Sequence, residues 1–210
     1  MNLIAEKVQK YLEDLHPVSD PVVKEMEQLG RETDFPIVGP MVGRLLEISA
    51  RLTQSRNVLE LGSGFGYSAY WLLRGMEGGG RLTLTETRPD RLQLARKHLS
   101  RTGTGVTIDY RQGDAMDVLE ESGEPLDLVF CDFDKPQYPR VIEPVARRLR
   151  PRGLFLTDNT LWSGRVAEAD PDETTRAIQV FNRLLLRDGR FRSTILPIRD
   201  GVALAIRLPD

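Results

Sequence analysis

An α/β fold organised as a doubly wound, mostly parallel sheet is what the sequence predicts, on three observations. Between Asn57 and Asp158, mostly apolar strand-like runs alternate with helical stretches, the pattern of consecutive β-α units. Glycine and proline clusters punctuate the elements as turns, and none of them reads as a domain linker. At 210 residues and 40% hydrophobic content the chain can bury a substantial core, so one domain over residues 1–210 is expected in preference to two small ones.

The elements follow in order. The first ~55 residues carry at least two helices, Leu3 to Leu15 and a segment through Leu45 to Leu52, joined by a proline-containing connection. This 1–55 segment is expected to cover one face or a cleft of the 56–210 core. Strands are expected at Asn57 to Gly62, Arg81 to Glu86, Val106 to Gln112, Leu126 to Asp132 and Gly153 to Asp158, with helices starting near Ser63, Arg88, Ala115 and Gln137. Leu92, Leu94, Ala95 and Leu99 recur at roughly helical spacing in the second of these. Gly78-Gly79-Gly80, Thr102-Gly103-Thr104-Gly105 and Arg150-Pro151-Arg152-Gly153 supply turns. After a helix from Asp172 to Leu186, the runs FRSTILPI and GVALAIRL flank Arg199-Asp200, with Gly201 just beyond. So short a connection forces antiparallel pairing.

Composition excludes several roles. No stretch of 18 or more apolar residues occurs, and the opening MNLIAEKVQKYLEDL is too charged for a signal peptide, so a cytoplasmic protein without a membrane partner is expected. A net charge of −2 and a pI near 5.8 give no global attraction to nucleic acid or an anionic membrane. The single Cys131 lies inside an apolar run and reads as a buried structural thiol. Of 29 basic residues, 24 are Arg and 5 are Lys, which sets Lys135 apart. His16 and His98 sit on polar, helical stretches and read as surface residues.

Two acidic segments carry the chemistry. LDLVFCDFDK ends in Asp132-Phe133-Asp134-Lys135 and GLFLTDN ends in Asp158-Asn159, with Asp132 and Asp158 26 residues apart. If the two runs are neighbouring parallel strands, their C-terminal ends lie ~5 Å apart, close enough for Asp132, Asp158 and Asn159 to share a cation. Oxygen donors suit Mg²⁺, Ca²⁺ or Mn²⁺, whereas zinc favours Cys and His. A cation beside Lys135 makes a neutral amine accessible. The alternatives are strand-end carboxylates capping the next turns and a solvated loop lysine, with Asp134 orienting that lysine.

The first strand and turn, VLELGSGFGYS, place Gly62, Gly64 and Gly66 where a ligand can approach the backbone and a helix N-terminus. Tight strand-helix packing is the competing explanation. Glu60 precedes the first glycine by two residues, and Glu86 follows Gly66 by 20 at a strand end, where an acid can accept both ribose hydroxyls. The spacing E-x-G-x-G-x-G differs from the dinucleotide fingerprint G-x-G-x-x-G and resembles the S-adenosylmethionine site of Rossmann-like methyltransferases.

Taken together, LELGSGFGYSA, TETRPDRLQLARKHL, VFCDFDKPQY and LFLTDNTLWSG, in this order and spacing from about residue 38 onward, resemble the cation-dependent O-methyltransferase family of catechol and caffeoyl-CoA O-methyltransferases. The resemblance implies a class I fold with a seven-stranded, mostly parallel sheet, a C-terminal antiparallel strand pair and N-terminal helices. It implies Mg²⁺, or another divalent cation such as Mn²⁺ or Ca²⁺, on Asp132, Asp158 and Asn159, with Lys135 as general base. It also implies an S-adenosylmethionine pocket lined by Val38, Glu60, Gly62, Ser68, Glu86, Gly113, Asp114 and Asp132, and a homodimer joined through the N-terminal helices.

Methyl transfer needs an acceptor hydroxyl that loses its proton, and a cation and a neutral lysine serve that need. The acceptor loops of the family correspond to roughly Asp34 to Met41 and Leu161 to Asp172, and neither carries a substrate signature. Phe133, Tyr138 and Trp162 read as either an aromatic wall against a planar acceptor or packing. A small catechol-like or hydroxycinnamoyl-type phenol is the first expectation. A hydroxylated tRNA uridine, with Arg147, Arg148, Arg150 and Arg152 on phosphates, is the second. A module that binds the donor without catalysis is the third.

Overall fold

The computed structural model describes residues 6–15, 17, 19–121 and 123–209. Three helices, α1 (Glu6–Leu15), α2 (Pro21–Glu32) and α3 (Gly39–Leu52), precede the alternating part. That part runs β1 (Asn57–Leu61), α4 (Tyr67–Gly75), β2 (Arg81–Glu86), α5 (Pro89–Leu99), β3 (Thr107–Gln112), α6 (Ala115–Glu121), β4 (Leu126–Cys131), α7 (Tyr138–Arg148) and β5 (Leu149–Thr157). The chain closes with α8 (Glu173–Arg187), β6 (Phe191–Leu196) and β7 (Val202–Arg207). One sheet in the order β3-β2-β1-β4-β5-β7-β6 results, parallel through β5 and antiparallel at β5/β7 and β7/β6. The seven-stranded sheet and its antiparallel tail agree with the sequence.

Both faces of the sheet are covered, which is why its central strands are continuous apolar runs. On β4, Leu128 and Phe130 join Val58 of β1 in a core with α2, α3, α4 and α5. Val129 and Cys131 point the other way, with Leu59 and Leu61, into a core closed by α6, α7 and α8. Each such large side chain taken from water contributes about 1.5–3 kcal/mol. Cys131 is fully buried, as expected, and burial pushes its thiol up, away from reactivity.

One expectation is extended and two need correction. The connection between the first two expected helices contains α2, started by Asp20, whose carboxylate accepts from the Val22 amide at 2.8 Å, with Pro21 at the first helical position. The Arg150–Gly153 turn is instead part of β5, which begins at Leu149 and pairs with β4 across a register shift between Leu126 and Leu128. His98 is buried, not on the surface: it shares the inward stripe of Leu92, Ala95 and Leu99 and packs edge-on to Phe65. Burial lowers its pKa. Residues 1–5 and His16 lie outside the described residues.

Candidate active site

Parallel register brings the acidic segments together. Cys131 of β4 pairs with Thr157 of β5, so the next residues, Asp132 and Asp158, stand side by side at the C-terminal edge, joined by the Asp158 amide donating to the Cys131 carbonyl at 3.0 Å. Ligands of open α/β sheets bind at this edge. Asp158 is 3% exposed, and its Oδ1 is buried without a hydrogen-bond partner. Burial first, and then the negative charge of Asp132, push Asp158 up to about 7. Asn159 follows with φ 59°, in the left-handed region that Asn tolerates better than most residues.

Lys135 reaches back to the same edge. Its Nζ donates to Asp132 Oδ1 at 2.7 Å and lies 5.4 Å from the centre of the Tyr138 ring. Lys135 is therefore paired with Asp132, and not with Asp134 as in the alternative. Among the described residues no group of three or more His, Cys, Asp or Glu side chains forms a metal-holding set, so a third protein donor here must be of another type. Asn159 meets that condition. Two carboxylates and an amide oxygen, one carboxylate oxygen being buried and unpartnered, fit a hard divalent cation.

Beside this edge opens a cavity of about 330 Å³. Val38, Gly62, Ser68, Glu86, Gly113, Asp114 and Asp132 line it, and so does Lys135. Five separated segments of the chain thus converge on one space. Glu60 is the exception among the expected pocket residues: it lies behind the wall, fully buried on β1, with neither carboxylate oxygen hydrogen-bonded. Burial pushes its pKa up to about 8; the nearby Ser68 hydroxyl opposes the shift and the Asp132 charge adds to it.

The glycine turn is shaped by contact as well as by backbone conformation. Gly62 has φ 87°, and a Cβ there would collide with the Asp132 carbonyl oxygen. Its amide donates to Thr85 Oγ1 at 3.0 Å, and that hydroxyl donates to the Glu60 carbonyl at 3.0 Å. Glu86 Oε1 accepts from the Arg88 amide at 2.9 Å, while Oε2 lies 3.8 Å from Arg91. Asp114 Oδ1 accepts from the Met116 amide at 2.7 Å at the start of α6. Both acids thus hold turns as well as lining the cavity.

Sequence reasoning missed part of the wall. Phe35, Pro36 and Ile37 line the cavity with Val38, inside the expected 34–41 loop but without a motif to mark them. The Phe35 ring lies 5.0 Å from Phe65, with the Arg91 guanidinium 4.6 Å from its centre. Phe133 is also on the wall. Tyr138 is not: it is fully buried, 5.4 Å from the Phe181 ring, and its hydroxyl donates to the Asp158 carbonyl at 3.1 Å. Trp162 packs, half-buried, against the core on the Tyr138 side. Neither residue contributes to the cavity lining.

The four arginines lie elsewhere. Arg147 pairs with Glu120 at 2.8 Å, Arg148 donates to the Glu120 carbonyl and Arg150 pairs with Asp127. They cluster at the start of β5, the sheet edge opposite Asp158. Their charge is largely committed within the chain and faces away from the cavity. No helix among the described residues is long and apolar enough to cross a membrane.

A β3-β2-β1-β4-β5-β7-β6 sheet with a glycine turn after β1, an acid at the end of β2 and a cavity between them defines the class I, S-adenosylmethionine-dependent methyltransferase fold. The chain belongs to the O-methyltransferase family, whose model matches residues 15–208. It is 33% identical over 217 residues to a catechol O-methyltransferase of Niastella koreensis, covering 98% of each chain. Among solved structures, the O-methyltransferase of Bacillus cereus in complex with S-adenosylhomocysteine has a TM-score of 0.85 at 29% identity, over 96% of this chain and 97% of that one. The O-methyltransferase TomG of Streptomyces achromogenes, involved in tomaymycin synthesis and solved with S-adenosylmethionine, has a TM-score of 0.85 at 28% identity, over 98% and 100%. Family membership makes the chain an O-methyltransferase enzyme, against the reading of a module that binds a donor without catalysis.

Proposed function

We propose that this enzyme methylates one hydroxyl of a small phenol carrying two adjacent oxygens, catechol-like or hydroxycinnamoyl-type, with Mg²⁺ or a similar divalent cation at Asp132, Asp158 and Asn159. The observation that carries the proposal is the juxtaposition of Asp132 and buried Asp158 at the cavity edge, with Asp158 Oδ1 unpartnered and Lys135 on Asp132. Two carboxylates so placed repel each other until a positive charge comes between them. A divalent cation there would stabilise the oxyanion of the acceptor and fix its two oxygens in place.

The protein's own groups supply the rest. S-Adenosylmethionine would be held in the cavity by Glu86, by the turn from Gly62 to Ser68, and by Gly113 and Asp114. With the methyl donor bound, Lys135 would take the proton of the acceptor hydroxyl. Phe35 and Phe133 give the cavity an aromatic lining. Good mutual orientation of two bound reactants is worth roughly 7–11 kcal/mol of barrier.

The test is methyl transfer from labelled S-adenosylmethionine to a catechol and to a caffeoyl ester, each with Mg²⁺ and with EDTA. Labelling that requires the cation is expected for one of them. Equal labelling in EDTA would remove the cation from the reaction, and labelling of neither phenol, with donor binding intact, would remove the acceptor class. The family resemblance also supports a homodimer; exposed Val8, Tyr11 and Leu15 on α1, with Ile48 and Leu52 on α3, are apolar surface suited to a second copy. Light scattering giving a monomer mass would refute that assembly.

A further inference from the structure

We propose that Asp200, in the turn between β6 and β7, is a positioning residue that turns the amide of Asn159 so that its oxygen faces the cation position; this rests on the cation site proposed above. An asparagine side chain has two ends of similar shape. Only the oxygen can bind a cation, and the wrong orientation presents an NH₂ group instead. Asn159 Nδ2 donates to Asp200 Oδ2 at 3.2 Å. An ionised carboxylate accepts hydrogen bonds and donates none, so it selects the nitrogen of Asn159 and leaves the oxygen directed elsewhere.

The turn is built to hold this arrangement. The Leu161 amide donates to the Asp200 carbonyl at 2.8 Å, the Thr160 amide to the Gly201 carbonyl at 3.0 Å, and the Ser163 amide to Asp200 Oδ1. Backbone bonds thus lock the β6-β7 turn to the loop that carries Asn159, while the two oxygens of Asp200 divide their work between that loop and the Asn159 side chain. Gly201, at φ 86°, has no room for a Cβ against Leu161, which shows how closely turn and loop approach. Because Asp200 forms no metal-holding group with two other acids among the described residues, its effect on a cation runs through Asn159.

The experiment is Mn²⁺ binding to the full chain without donor or acceptor, read from the paramagnetic resonance signal of free Mn²⁺, with unfolding midpoints as a check on folding. Asp200→Ala is expected to weaken Mn²⁺ binding about 10–100-fold, the usual range for loss of a partner that orients a metal ligand. Asp200→Asn preserves shape but can donate to the Asn159 oxygen, and is expected to weaken binding in the same direction. In an Asn159→Asp background the ligand has two equivalent oxygens and no wrong end. There, Asp200→Ala removes no orienting bond and relieves the repulsion between two neighbouring carboxylates, so no weakening of Mn²⁺ binding is expected.

Equal losses from Asp200→Ala in both backgrounds would overturn the proposal and make Asp200 a loop-folding residue. No loss in the native background would overturn it too, leaving the cation site standing. Absence of Mn²⁺ binding by the unmodified chain would overturn the cation site itself, and this inference with it.

Discussion

Glu60 offers a measurable consequence of a carboxyl group buried in the middle of a sheet. It sits on β1, between β2 and β4, fully buried and without a hydrogen-bond partner for either oxygen. Burial raises its pKa from 4.5 to about 8. Between these values the folded chain keeps a proton that the unfolded chain releases, so folding stability falls as pH rises through the window. The gap corresponds to roughly 5 kcal/mol as an upper bound, all of it expressed only above about pH 8. Glu60→Gln removes the charge at every pH while nearly preserving the shape. Urea unfolding of both proteins in EDTA from about pH 5 to pH 9 should therefore give similar stabilities at the acid end and a Gln variant several kcal/mol more stable at the alkaline end. Asp158, raised to about 7, tilts both curves in the same sense and drops out of their difference. A difference that does not change with pH would refute the argument, because it would mean that Glu60 is ionised, and compensated, throughout.

Lys135→Ala should lower kcat by roughly 10²–10⁴, the range for loss of a general acid-base group, with labelled-donor binding retained; unchanged kcat would reassign Lys135 to holding Asp132. Tyr138→Phe removes a buried hydrogen bond to the Asp158 carbonyl and should cost about 1 kcal/mol in a denaturant titration. Because Tyr138 does not line the cavity, its KM for the phenol should stay within about 2-fold, and a large rise in KM would place it on the acceptor. Gly62→Ala forces a Cβ onto the Asp132 carbonyl at a positive φ. It should cost at least 1–3 kcal/mol from backbone strain alone and weaken donor binding, and a neutral result in calorimetry would refute the close approach.

Much of the fold was legible because its strands are covered on both faces. β1, β2 and β4 had to bury apolar residues on both faces, and runs such as LDLVFC stand out for that reason. The start of β5 did not, since Arg150-Pro151-Arg152 has turn composition and is carried as strand only by its neighbour, with Arg152 at φ 65°. α2 hid behind the prolines around it, although Asp20-Pro21 is a helix-start signal. His98 was misplaced by its polarity. Its position three residues after Ala95, on the same stripe, predicts an inward side chain, and the Phe65 carbonyl 3.5 Å from Nδ1 accommodates it.

The candidate site divides along a similar line. Asp132, Asp158 and Asn159 each terminate a recognisable run, so local reading finds them and parallel pairing brings them together. Asp200 and Phe35 have no comparable mark, because what they touch depends on how distant segments cross. The decisive crossing is β7 inserting between β5 and β6. Had the hairpin added to the sheet in chain order, β6 would border β5. The present order pairs β7 with β5 antiparallel, Thr157 opposite Ala203, and so brings the residues just before β7 against those just after β5. Asp200 lies 41 positions from Asn159 in the chain and within hydrogen-bond reach in space. A turn residue chosen for its backbone preference thereby acquires a second duty, and that duty follows from sheet order, which no local pattern at Arg199-Asp200-Gly201 encodes.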